Sequence, residues 1–146
     1  MQPRPVPSFR EALRRNLLAI ISLAVAIASL SYNTWRNDAS EVNRNQRAAG
    51  FAILQELARL QTLTDHITYD DDPNKGDPIA GWTHVIYICD LAQLTAPELE
   101  AESRQLKAAW AEEVGHLADG EAANKAVSQR IEAMRKTTLA TLATLR

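Results

Sequence analysis

"LLAIISLAVAIASLSYNTW", residues 17–35, carries no charged side chain, and its reading decides how the rest of the chain is organised. Between Arg15 and Arg36 stand 20 uncharged residues. Coiled as a helix at about 1.5 Å per residue, the run spans roughly 30 Å, the thickness of a bilayer's hydrocarbon core. It also holds Ala26-Ile27-Ala28, a small-x-small triplet of the kind signal peptidases cut, so it reads either as a cleaved leader or as a retained anchor. Retention is the better reading. A cleaved leader usually has a shorter apolar core that stops near its cut site, whereas Ser29-Leu30-Ser31-Tyr32 carries the pattern past the triplet. The run closes on Tyr32 and Trp35, aromatics that favour the headgroup level, and then on Arg36. Within it Ser22, Ala26 and Ser29 share one helical face and would let a second helix approach closely, although Ala24 and Ala28 offer small residues on the opposite side.

The flanks give the run a direction. Residues 1–15 carry Arg4, Arg10, Arg14 and Arg15 against Glu11, a net of +3, and the basic side stays cytoplasmic. Residues 36–146 hold 12 Lys and Arg against 17 Asp and Glu, a net of −5, and face outward, into the periplasm of a Gram-negative cell. An acidic domain lacks the basic surface that displaces phosphate counterions, which argues against nucleic acid and against lying on anionic headgroups. Cys89 is the only cysteine, so no intrachain disulfide forms and a packed core has to supply the stability. Its apolar neighbours in "HVIYICDLAQL" suggest a buried, unreactive thiol.

Working outward from the anchor (16–35), "RNDASEVNRNQRAA" (36–49) is polar on every face yet holds no Pro or Gly, and reads as the same helix continued as a stalk. From Gly50, Ile53, Leu57, Leu60, Thr64 and Ile67 repeat at three and four residues, with Phe51, Leu54 and Leu63 widening the stripe. "YDDDPNKGDP" is a loop, and Asp77-Pro78 starts a second helix. That helix, "IAGWTHVIYICDLAQL", is apolar almost all round and is expected to be the most buried. Thr95-Ala96-Pro97-Glu98 reads as a capping box for a third helix with Leu99, Leu106, Trp110, Val114 and Leu117 on one face. Asp119-Gly120 ends it. A fourth helix aligns Val127, Ile131, Met134, Thr138, Leu142 and Leu145, and Leu139 joins the last two in core contacts. The expected fold is all-α: one transmembrane helix, a stalk, and an antiparallel bundle of about four helices over 50–146.

No constellation for catalysis emerges. Glu113 and His116 form one Glu-x-x-His pair, but neither His66 nor His84 has the glutamate that a di-metal site would need. Asp70, Asp72 and Asn74 imitate the start of a calcium loop, but Lys75 and Gly81 stand where Gly and Glu are required. No haem-attachment, nucleophile-elbow, P-loop or dinucleotide motif is present. The expectation is therefore a protein without a catalytic, cofactor or metal site. Trp82 and Trp110 fall on apolar faces as core anchors, or as the lining of a small-ligand pocket.

The stretch "SLSYNTWRNDASEVNRNQRAAGF", through Tyr32, Asn33, Trp35, Arg36, Asn37, Asn43, Arg44 and Arg47, resembles a juxtamembrane pattern of uncharacterised small single-pass proteins of proteobacterial inner membranes. The resemblance implies anchoring and export, and covers residues 29–51. Asn33, Arg36, Asn37, Asn43, Arg44 and Arg47 are the expected partner-binding residues, since a polar helix beside the bilayer can dock through charge-assisted hydrogen bonds. The partners expected are the lipid bilayer and a membrane protein or further copies of the chain. Two functions fit: a non-enzymatic accessory or scaffold subunit of an envelope assembly, or a periplasmic small-ligand sensor acting through a partner. The topology has a direct test. Carbonate-washed membranes should retain the full-length protein, and a reporter active only outside the cytoplasm should be active when fused after Arg146. A shortened, soluble product would mean that the Ala28–Ser29 bond is cut.

Overall fold

The computed structural model describes residues 10, 14, 16–70 and 75–145. The chain divides into two compact units, Met1–Glu41 and Val42–Arg146. It is all-α, with no strand among the described residues. Helix α1, Leu17–Tyr69, is 53 residues long and contributes to both units. Its length follows from composition: no proline stands between Pro7 and Pro73, and Gly50 is the only glycine in it.

In the first unit every residue of α1 whose burial is described is exposed. An 18-residue window with mean hydropathy 1.8 and none of its residues buried makes it, by length and composition, long and apolar enough to cross a membrane. Two of its hydroxyls donate back into the helix, Ser22 Oγ to the Leu18 carbonyl and Ser40 Oγ to the Arg36 carbonyl, each at 2.9 Å. The Tyr32 and Trp35 rings sit one turn apart, with centroids 6.2 Å apart and planes tilted by 43°.

The second unit holds α1 from Val42, α2 (Pro78–Gln93), α3 (Pro97–Glu113), a 3-10 turn (Val114–His116) and α4 (Glu121–Thr144). Asp77 caps α2 as its sequence foretold: its Oδ1 accepts from the Ile79 N–H at 2.8 Å, and Pro78 occupies the first turn. The predicted Thr95 capping box does not form. Ala96 is the N-cap of α3 and makes no side-chain cap bond, while Thr95 Oγ1 donates back to the Ala92 carbonyl at 2.7 Å. The cause is Pro97, whose fixed φ suits the first helical position and starts the helix one residue later than a Thr95 cap would. Gly120, at φ 153°, lets the chain turn from α3 into α4, a conformation that a side chain would strain.

The core gathers one stripe from each helix: Ile53, Leu57 and Leu60 of α1, Val85 and Ile88 of α2, Leu99, Leu106 and Trp110 of α3, and Val127, Ile131 and Met134 of α4. Contacts between helices descend in register. Gly50 meets Leu142 and Thr64 meets Asn124 between α1 and α4; Gly81 meets Trp110 and Cys89 meets Ser103 between α2 and α3. Three expectations differ. Packing begins before Gly50, for Gln46 is half-buried and Ala49 buried, because the chain leaves α4 at Leu145 beside Arg47. Phe51 and Leu139 point outward, at 63% and 51% exposure, since each lies off the stripe that faces the core. Most consequential is α2, which buries Gly81, Val85, Ile88, Leu91 and Ala92 but leaves Ile79, Ile86 and Tyr87 exposed. It has one covered face, not all.

The closest approach in the core is between Gly81 and Trp110. A Cβ at position 81 would lie 2.1 Å from Trp110 Cζ2, so the indole, fully buried, lies directly on the glycine. Gly81→Ala should therefore lower bundle stability by about 1–3 kcal/mol through overpacking, although alanine is the better helix former. Gly115→Ala is the control, because a Cβ there meets nothing within 4 Å. Thermal melting of both variants checks this; equal midpoints would contradict the packing account.

Candidate interaction surface

The residues expected to bind a partner all lie on α1, in the two units. Asn33, Arg36 and Asn37 are exposed in the first, at a spacing that places them on one helical face. In the second, Arg44 is exposed, whereas Asn43 is half-buried and already engaged. Arg47 is used within the chain, where its guanidinium donates to the Leu145 carbonyl and satisfies an acceptor just past α4 that no helical N–H reaches. Ser22, Ala26 and Ser29 are exposed along the apolar run. Exposed hydrogen-bonding side chains thus stand at Asn33, Arg36 and Asn37 in the first unit and at Arg44 in the second.

Each histidine of the bundle has a carboxylate beside it. His66 Nδ1 lies 3.2 Å from Asp70, His116 Nδ1 lies 3.2 Å from Asp119 rather than on Glu113, and His84 Nδ1 lies 2.6 Å from Glu56. Among the described residues no group of three or more His, Cys, Asp or Glu could hold a metal ion. Asp72 and Asn74 of the calcium-like loop lie outside the described residues, and Asp70 accepts from Lys75 Nζ at 3.1 Å. Cys89 is half-buried, its thiol 3.5 Å from the Ser103 carbonyl. Trp110 is packed on Gly81 and belongs to the core, while Trp82 is half-buried against it.

Two polar clusters were not foreseen, since both join residues far apart in sequence. Glu56, 5% exposed, takes Arg59 Nη1 on one oxygen and His84 Nδ1 on the other, each at 2.6 Å, and so ties α1 to α2. Asn124, buried on α4, donates through Nδ2 to Asp65 Oδ1 at 3.0 Å, to Thr68 Oγ1 at 3.2 Å and to the Thr64 carbonyl at 3.4 Å. Gln61 Nε2 reaches Ser128 Oγ at 2.8 Å beside it. These satisfy buried polar groups that would otherwise be costly. They orient helices relative to one another.

Among the described residues of the second unit, two stretches of open apolar surface stand out. Phe51 with Ala48, Ala52, Leu54 and Ala58 lines a shallow groove on α1, and the outer side of α2 displays Ile79, Ile86 and Tyr87, followed by Leu94. Periodicity alone could not assign either surface to solvent. No protein-family model, curated protein or solved structure matches the chain.

The Glu56 cluster generates a stability test. His84→Ala leaves a buried carboxylate on Arg59 alone and should cost about 1–3 kcal/mol. Glu56→Leu removes the charge and refills the space with apolar atoms, and should cost less. Denaturant midpoints of the two variants measure the order, and the reverse order would refute it.

Proposed function

We propose that the chain is a non-enzymatic, membrane-anchored interaction protein, an accessory or scaffold subunit of a bacterial inner-membrane or envelope assembly. One observation carries the reading. The apolar start of α1 has no buried residue over a bilayer's length, and it is followed by Asn33, Arg36, Asn37 and Arg44, all exposed. Apolar area of that extent is covered by lipid, and exposed hydrogen-bonding side chains next to it can meet a neighbouring subunit in the same plane. Confinement to that plane raises the effective concentration of both partners. The basic flank keeps the N-terminus cytoplasmic and sends the second unit to the periplasm. The juxtamembrane resemblance agrees with this placement. Descending contact registers support an antiparallel bundle, whose polar locks make it a rigid body for presenting surfaces.

Small-ligand sensing between the helices has less support, because the buried tryptophan that could have lined a pocket is covered by Gly81. Purification from native membranes in mild detergent, with cross-linking and mass spectrometry, tests the proposal. A stoichiometric partner linked near residues 33–44 and lost in Arg36→Ala/Arg44→Ala is the expected result. A clean monomer would refute it.

A further inference from the structure

The helix α2 is apolar nearly all round, a pattern that belongs to helices covered on every side, yet only one of its faces is covered. On the other face Ile79, Thr83, Ile86, Tyr87, Asp90 and Leu94 recur at helical spacing, and all six are exposed. Ile79 is 76% and Leu94 69% accessible, so the apolar members stand clear of the bundle at both ends of the stripe. The face carries a single charge, Asp90. No lysine or arginine occurs between Lys75 and Arg104 in sequence, and among the described residues Asp90 has no ion-pair partner.

Resting on the reading of the chain as an interaction protein, we propose that this outer face of α2 docks a helix of a partner protein that brings an apolar stripe and a lysine or arginine opposite Asp90. Charge selects this occupant. A purely apolar partner would desolvate Asp90 without compensation, which is unfavourable, whereas a cation on the incoming helix converts the same carboxylate into an oriented, water-excluded pair. A second copy pairing through the same face is a poor fit, because no lysine or arginine stands between Lys75 and Arg104 and so none is brought to Asp90. Ile86 and Tyr87, in the middle of the stripe, are the apolar anchors, and aromatic side chains are favoured at such centres. Tyr87 adds a phenolic hydroxyl at the rim.

The test uses the full chain in its native membranes with a photoreactive phenylalanine analogue at position 83. The expected product is one cross-linked peptide from another protein, with apolar residues at helical spacing and a lysine or arginine among them. Its yield at limiting expression should fall at least about tenfold in Asp90→Lys and in the isosteric Asp90→Asn, as expected when one partner of a desolvated charge pair is lost. Changing the partner's cation to Asp should restore the yield with Asp90→Lys. Both variants alter an exposed side chain and should melt as the parent does. Cross-linking to a second copy, to lipid or to nothing overturns the proposal, as does a yield indifferent to both Asp90 variants. A partner captured from position 37 but not from 83 overturns this surface and leaves the interaction reading standing; absence at both positions removes both.

Discussion

The whole chain depends on one uninterrupted ladder of backbone hydrogen bonds. Helix α1 meets no proline for its entire length, so past its first turn each peptide N–H can find the carbonyl four residues earlier whatever its side chains contact. That independence lets one element carry an apolar exterior in its first part and a core stripe in its last. In a hydrocarbon environment such internal satisfaction is obligatory. In the bundle it leaves the side chains to choose neighbours.

Those neighbours are chosen by shape as much as by hydrophobicity. Trp110 fills the space between α2 and α3 only because position 81 has no side chain, and the largest residue of the core rests on the smallest. Around it the stripes of four helices close into one cluster. The α2 helix is the odd member, since its hydrophobic content exceeds what the bundle can cover. That surplus is the face proposed above for docking.

The features legible in the sequence were local ones. Asp77-Pro78 announced the start of α2, and the core faces of α3 and α4 followed from spacing. The Thr95 box failed because two local signals competed and the proline prevailed. Phe51 was misplaced because a stripe drawn from spacing has no sharp edge, and the few degrees separating core from solvent are set by neighbouring helices. Nothing in the sequence marked Asn124 or the Glu56–His84 pair, which arise from tertiary proximity between residues without a shared period. The expected interaction residues were legible as a polar helix, whereas the engagement of Arg47 by Leu145 needed the return of α4.

The Asn124 cluster also has a mechanical meaning. Four hydrogen bonds, three from Asn124 and one from Gln61, cross between α1 and α4 within about two helical turns. They are aligned as a group, so sliding α1 past α4 by even one residue, about 1.5 Å, would strain all of them together. Resistance to shear is therefore concentrated at one level of the bundle, where neighbouring apolar contacts would yield more gradually. A load along α1 would meet a catch there, and the bundle would turn or translate as a block before its helices slipped.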